Sequence, residues 1–319
     1  MIRIATIGTS VITDAFIGAA SRTRGIEVVA VSSRDAVKAQ AYADRLGVAR
    51  AIAGLDTVLA DPEVDAVYIG SPNAAHGSQV ESAIAAGKHV LVEKPAVATA
   101  REWDDLVDRS RRAGVILLEA MRTAYDPGIA AVREQLGSLG TLRRASFHYA
   151  KRSPRYDAVL AGGTPNIFDP AMGGGALADL GVYGVHAAVL LFGEPTRVAG
   201  SSVTIATGAD GAGLAMLEYP GLVVDVAYSK ITTALRPSEI QGEDATLLVD
   251  HLASPRRVTR VGLDGAESAW TSDAAVDTLD GEVARFVELV GGAVAPDEDQ
   301  ARTAATLRTM ERIRQATTG

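Results

Sequence analysis

The sequence predicts an α/β protein: an N-terminal doubly wound parallel sheet, then an α+β domain built on a largely antiparallel open sheet. Three observations carry this. Across residues 1–122, six short apolar strands alternate with helical patterns, which right-handed crossovers turn into a parallel sheet. Beyond that point strand-like runs follow one another, with Pro220-Gly221 a clear hairpin turn. A length of 319 residues suits two domains of ordinary size, expected as 1–122 and 123–319.

Residues 2–7 form the first strand, which ends at Gly8-Thr9-Ser10 before a helical pattern from about residue 12 to 20. A strand, a tight turn and a helix in that order can hold a dinucleotide pyrophosphate on backbone N–H groups. The G-x-G-x-x-G pattern is incomplete, because Ser10 and Thr13 stand at its second and third glycine positions. An ordinary strand-helix turn is the competing reading. The next strand, residues 26–31, ends in Ser32-Ser33-Arg34. An NAD site places an acidic residue here for the ribose; a neutral and then cationic stretch suits a 2′-phosphate instead. NADP is therefore expected, with NAD as the alternative, in which Arg34 is solvated and Asp35 serves the ribose or caps the next helix.

Gly47 stops the helix over residues 36–46, and Asp61-Pro62 stops a short one over 55–60. The strand over 65–69 opens into Gly70-Ser71-Pro72-Asn73-Ala74-Ala75-His76. Asn73 and His76 either reach the nicotinamide ribose or cap the helix over 77–86. The strand starting at His89 is apolar until it delivers Glu93, Lys94 and Pro95 in succession. Ligands of an open parallel sheet bind outside the carboxyl ends of its strands, so Lys94 is the first catalytic candidate. A surface Glu-Lys pair is the plainer alternative. A helix to about residue 113 and a strand over 115–119 complete the first domain.

In the second half Asp126-Pro127 reads as a helix start and Gly137 as its stop. Strands are expected over 142–150, 197–206, 213–219, 222–229, 239–241 and 246–250, and helices over 280–290 and 300–315. Between them lies Gly173-Gly174-Gly175 followed by an apolar stretch that carries Asp179, Tyr183 and His186. On a helix these three share one face. Buried polar groups need partners, so they imply either a ligand or a self-satisfied network.

Net charge of −8 argues against nucleic-acid binding, which relies on Lys and Arg against phosphates. Without cysteine there is no disulfide, thiolate metal site or thiol nucleophile, and five histidines lacking HExxH spacing argue against catalytic zinc; no metal is expected. The chain opens directly on a strand, and no run approaches the roughly 18 apolar residues of a membrane span. A cytoplasmic protein with no membrane partner is expected.

Gly8-Thr9-Ser10, Ser71-Pro72-Asn73 with His76, Gly87-Lys88-His89 leading to Glu93-Lys94-Pro95, Glu119-Ala120-Met121, and Gly174-Gly175-Ala176-Leu177 with Asp179, Gly181 and Tyr183 together resemble the Gfo/Idh/MocA oxidoreductases. The resemblance covers nearly the whole chain. It implies a Rossmann domain, a nicotinamide cofactor, and a sugar, polyol or related hydroxyl/carbonyl compound as the small-molecule substrate. It makes Lys94 the catalytic lysine beside a proline that is often cis, Tyr183 the acid/base group and Asp179 its neighbour, holding Lys94 or substrate. Tyr at 183 resembles the glucose-fructose oxidoreductase and dihydrodiol dehydrogenase branches more than the inositol dehydrogenases. Ala124 and Asp126 depart from the Arg and His of many relatives. Cofactor contacts are expected from Gly8, Thr9, Ser10, Ser32, Ser33, Arg34, Ser71, Asn73, His76, Glu93 and Lys94. Substrate contacts are expected from Arg122, Arg152, Tyr156, Asn166 and Phe168, with His186 linking the site to solvent. Family likeness also implies a homodimer or homotetramer through the C-terminal sheet. The rival functions are an NAD-dependent glycosidase on the same fold and a non-catalytic NADP-binding sensor.

Overall fold

A computed structural model describes residues 1–273 and 278–317. The chain forms two compact units, Met1–Met121 with Thr278–Ala304, and Arg122–Asp277 with Ala305–Gly319.

The first unit alternates β1 (Ile2–Ile7), α1 (Val11–Arg22), β2 (Ile26–Ser33), α2 (Ala36–Leu46), β3 (Ala51–Ala53), α3 (Leu55–Leu59), β4 (Ala66–Ile69), α4 (His76–Ala85), β5 (His89–Glu93), α5 (Ala100–Ala113) and β6 (Leu117–Ala120). Its six strands lie in the order β3-β2-β1-β4-β5-β6, every pair parallel. β3 spans only three residues, and it is the one of the six strands whose range the hydrophobic pattern does not give. The strands are buried on both faces, as in β4 and in residues 90–92, which is why they read as apolar runs rather than alternating ones. Tyr68 of β4 stacks on Phe16 of α1, with centroids 3.8 Å apart.

Winding reverses between β1 and β4, which opens the strand ends to a ligand there. Gly8, at φ +111°, makes the approach feasible: a Cβ on it would stand 2.6 Å from the Gly70 carbonyl oxygen.

The second unit holds α6 (Pro127–Gln135), β7 (Leu142–Ala150), α7 (Tyr156–Leu160), α8 (Val182–Phe192), β8 (Arg197–Thr204), β9 (Asp210–Tyr219), β10 (Leu222–Ser229), β11 (Ser238–Gly242), β12 (Ala245–Val249), β13 (Arg257–Gly262) and β14 (Glu267–Thr271). The order is β14-β13-β12-β11-β7-β10-β9-β8, antiparallel except for β7 beside β10. β13 and β14 were not expected from the sequence; charges at Arg257, Arg260 and Glu267 break their apolar pattern. Gly137 falls inside a 3-10 turn rather than ending α6 cleanly. Pro220-Gly221 joins β9 to β10 as expected, with Gly221 at φ +75°.

α8 lies against β10. A Cβ on Gly184 would stand 2.6 Å from Val226 Cγ1, and one on Gly181 3.0 Å from the Tyr228 ring, so both positions require glycine for this packing. The segment Pro170–Phe192 has an 18-residue window of mean hydropathy 1.6, enough by length and composition alone to cross a membrane, although Asp179 and His186 interrupt any unbroken apolar run. That window is 78% buried inside the fold, as in the core helix of a globular domain.

After the second sheet come α9 (Asp280–Val290) and α10 (Asp297–Thr317). Residues Thr278–Ala304 pack with the first unit, although they follow the second in the chain. Long-range hydrogen bonds hold them there. The indole N–H of buried Trp103 donates to the Gln300 carbonyl at 3.0 Å, and the Gln300 side chain donates to the Leu117 carbonyl at 3.1 Å. Arg22 pairs with Asp280 at 2.6 Å. Partners this far apart in sequence leave no local signature. Gln300→Ala leaves the Leu117 carbonyl buried without that donor, at a cost of about 1–3 kcal/mol. The urea midpoint should fall with an unchanged slope.

Candidate active site

The carboxyl edge of the first sheet gathers most of the residues expected at a cofactor site. Thr9 stands half-buried in the turn after β1, and Ser10 takes the N-cap position of α1 with an extended backbone. The Ser10 hydroxyl makes no cap bond; it lies 3.2 Å from the Thr13 hydroxyl and donates to the Gly70 carbonyl at 3.4 Å. N–H groups of the first helical turn have no intrahelical acceptor, and the helix dipole makes that end partly positive. Asp14 brings a carboxylate into the same turn. Arg45 holds both its oxygens at 2.9 Å and keeps its pKa low, and Tyr42 hydrogen-bonds Asp14 and donates to the Ser10 carbonyl.

At the end of β2 the Ser32 carbonyl accepts the Gly8 N–H at 3.1 Å. The Ser33 hydroxyl accepts the Asp35 N–H at 3.3 Å. The Asp35 carboxylate accepts the Val37 and Lys38 N–H groups at 2.9 and 3.1 Å, so it caps α2. Arg34 is exposed and makes no ion pair among the described residues.

Beyond β4, Ser71 donates to Gln79 at 2.7 Å, and Asn73 opens a 3-10 turn. His76 is fully buried, with Nε2 2.9 Å from the Ser71 carbonyl and Nδ1 3.0 Å from the Pro95 carbonyl. It thus ties the loop after β4 to the loop after β5. Burial, aided by the Lys94 charge, pushes its pKa down although both carbonyls favour the protonated ring.

Lys94 is half-buried where β5 ends, and its peptide bond to Pro95 is cis. Glu93, 7% exposed, accepts from the Tyr68 hydroxyl at 2.6 Å and from the Lys94 N–H at 3.2 Å. Glu119, 2% exposed at the end of β6, accepts the Ala96 N–H at 2.9 Å and the Thr303 hydroxyl at 3.0 Å. Burial pushes the Glu119 pKa up to about 7; its two hydrogen bonds and Lys94 oppose the rise, and Glu93 adds to it.

In the second unit, Asp210 accepts the Leu177 N–H at 2.7 Å and so caps the helix that carries Asp179 and Tyr183. That helix opens with a π turn over Leu177–Gly181, which breaks the regular spacing that would align Asp179, Tyr183 and His186. His186 is 1% exposed with Nδ1 3.3 Å from the Thr306 hydroxyl. It therefore does not itself reach solvent, contrary to the expected solvent link, and Thr306 of the C-terminal helix lies against it. Tyr183 is 6% exposed, 5.3 Å from the Tyr149 ring, with the Arg122 guanidinium 5.1 Å over its face.

Asp179 forms an ion pair with Lys230, a residue that sequence reasoning missed. Lys230 follows β10 as Lys94 follows β5, so a strand-end search would have found it. Its ammonium lies 5.4 Å over Phe168. Phe168 is fully buried and 5.8 Å from Tyr156; exposed Arg152 lies over the Tyr156 ring and pairs with Asp157 at 2.6 Å. Asn166 is exposed at the start of a 3-10 turn. Asp126 caps α6 through the Gly128 N–H at 2.8 Å and pairs with Arg256 at 3.2 Å, both largely buried.

A family model described as an oxidoreductase family with an NAD-binding Rossmann fold matches residues 2–121, and a GFO/IDH/MocA C-terminal domain model matches residues 131–248. A scyllo-inositol 2-dehydrogenase (NADP(+)) of Bacillus subtilis is 40% identical over 258 residues, 81% of this chain and 79% of that protein. A dTDP-3,4-didehydro-2,6-dideoxy-alpha-D-glucose 3-reductase of Streptomyces violaceoruber is 35% identical over 308 residues, 90% of this chain and 86% of that one. Among solved structures, KijD10, a 3-ketoreductase from Actinomadura kijaniata in complex with NADP and TDP-benzene, superposes with a TM-score of 0.87. It covers 99% of this chain and 98% of its own, and at 24% identity the likeness is one of fold.

The raised pKa of Glu119 has a consequence for stability. Below the ordinary carboxylate range both folded and unfolded states are protonated. As pH rises toward about 7 the unfolded state ionises first, so folding stability is lost across that window. Glu119→Gln removes the titration. Its stability relative to the parent should rise by on the order of 3 kcal/mol between pH 4 and 8, because a difference of one in pKa corresponds to roughly 1.36 kcal/mol. Urea denaturation at each pH reads the change.

Proposed function

The chain belongs to the Gfo/Idh/MocA oxidoreductase family, and on that premise we propose that it is an NADP-dependent dehydrogenase or reductase of a ring-shaped polyol or sugar. The reaction interconverts a secondary alcohol and a ketone on the ring. The observation that carries this reading is the ammonium of Lys94, set at a strand end beside two buried carboxyl groups. The two relatives above, one acting on an inositol and one on a deoxy-glucose derivative, share a six-membered ring with neighbouring oxygens and support that substrate class.

The residues present fit the cofactor. Gly8 has a positive φ that brings the first turn close to Gly70, and the open first turn of α1 beside Thr9 and Ser10 suits a pyrophosphate. Asp35 caps α2 through one carboxylate oxygen, and Arg34 with Ser33 would bind a ribose 2′-phosphate. This favours NADP over NAD. Ser71, Asn73 and Glu93 line neighbouring strand ends, whereas buried Ser32 and His76 would act by shaping the loops.

When bound, the nicotinamide supplies the carbon that accepts or returns hydride. Lys94 would then donate a hydrogen bond to the substrate oxygen as its charge changes. Tyr183 would exchange the proton, with the cation of Arg122 over its ring. Asp179 would accept from a substrate hydroxyl. Arg152, Tyr156, Asn166 and Phe168 belong to the segment that would set which ring fits.

Exposed Val203, Leu214, Met216 and Val223 stand on one face of β8, β9 and β10 by strand register. We assign this face to a homodimer.

Lys94→Ala should lower kcat by at least about 100-fold, the scale of a lost proton-transfer or oxyanion donor. NADPH binding, followed by nicotinamide fluorescence, should survive. Arg34→Ala should weaken NADPH by about 10-fold or more while leaving NADH unchanged, since a bond to a charged group contributes roughly 1.5–3 kcal/mol. Full turnover in Lys94→Ala would remove the catalytic assignment, and an NADPH affinity unchanged in Arg34→Ala would remove the 2′-phosphate site.

A further inference from the structure

We propose that Lys230 is a positioning residue of this reaction, its ammonium fixing Asp179 as an oriented carboxylate at the start of the helix that bears Tyr183. The inference rests on the functional reading above for the reaction, and on geometry alone for the ion pair.

Lys230 is anchored on every side. Its backbone N–H donates to the Gly211 carbonyl at 2.8 Å and its own carbonyl accepts the Ser153 N–H at 2.8 Å. The side chain is 3% exposed, lies over Phe168, and ends at Asp179, whose side chain is 40% exposed. An ammonium so buried is costly without a counter-charge, and its position is over-determined by the backbone that carries it. Asp179 is the softer partner. It therefore takes its orientation from Lys230, not the reverse.

The other charged and titratable groups at this helix have partners of their own. Asp210 caps it at Leu177, Arg122 lies over Tyr183, and Glu194 beyond its end pairs with Arg308 at 3.0 Å. His186 meets Thr306.

A carboxylate held ionised is acceptor-only. In contact with substrate it would select a free hydroxyl on the ring and disfavour a carbonyl or ether oxygen. Lys230 would thereby contribute to substrate choice without touching substrate. The pair is also asymmetric in stability. Removing Lys230 leaves a carboxylate that water can reach, but removing Asp179 takes the counter-charge from a buried cation. Asp179→Asn should therefore lower the melting temperature more than Lys230→Met.

The test uses the full chain with ¹³C-labelled aspartate carboxyl groups. The Asp179 resonance is assigned by its absence in Asp179→Asn and titrated in the parent, in Lys230→Met and in Lys230→Arg, which keeps the charge. An opposite charge at contact lowers a carboxyl pKa by about 1–3 units. The midpoint should rise by that amount in Lys230→Met and stay low in Lys230→Arg. The acid limb of kcat/KM should move with it, while NADPH affinity stays unchanged. An unmoved midpoint would overturn the ion pair, and a moved midpoint with an unmoved acid limb would overturn the positioning role. Parent protein that binds NADPH but turns over no ring polyol or sugar would sink the functional reading and the catalytic half of this inference, with the midpoint shift still deciding the pair.

Discussion

The hydrogen bond from the Ala96 N–H to Glu119 holds the strand-end loop on which Lys94 stands, and the acceptor is a carboxyl group that water barely reaches. Four further contacts brace the same edge. Thr303 holds the second Glu119 oxygen, Tyr68 holds Glu93, and His76 spans the Ser71 and Pro95 carbonyls. Under the proposed function, a half-buried ammonium among groups with so little freedom would lose little entropy on meeting a substrate oxygen. That is preorganisation in physical terms. The raised pKa of Glu119 follows from the same burial, offset in part by the charge of Lys94.

The second unit solves a similar problem with different parts. Glycines at 181 and 184 bring an apolar helix against β10, and the π turn before α8 takes up the extra residue. Lys230 follows directly on the strand that receives this helix, so the packing that buries the helix also delivers the cation to Asp179. Each unit thus presents a lysine immediately after a strand, Lys94 after β5 and Lys230 after β10.

Local signals in the sequence were reliable where local physics decides. Gly47 adopts φ +68° behind α2, Asp126 caps α6, and the apolar runs of the first unit became a parallel sheet in the reversed order of a nucleotide-binding fold. Asp35 was ambiguous between ribose contact and cap, and only its bonds to Val37 and Lys38 decide for the cap. Long-range partners stayed hidden. Lys230 lies 51 residues from Asp179, and Trp103 lies 197 from Gln300, distances at which no periodicity or spacing rule applies. His186 was expected to link the site to solvent, yet it is buried and meets Thr306, 120 residues further on. The π turn was equally invisible, since its residues form an α-helix as readily by propensity.

Hydride transfer at the first sheet's carboxyl edge is tested most directly by isotope. A ring polyol deuterated at every carbinol carbon is incubated with the protein and NADP⁺, and the reduced cofactor is examined by mass spectrometry and proton NMR. One deuterium at nicotinamide C4 for each ketone formed is the expected result. Reduced cofactor without label, or ketone formed without reduced cofactor, would contradict direct transfer between substrate and nicotinamide.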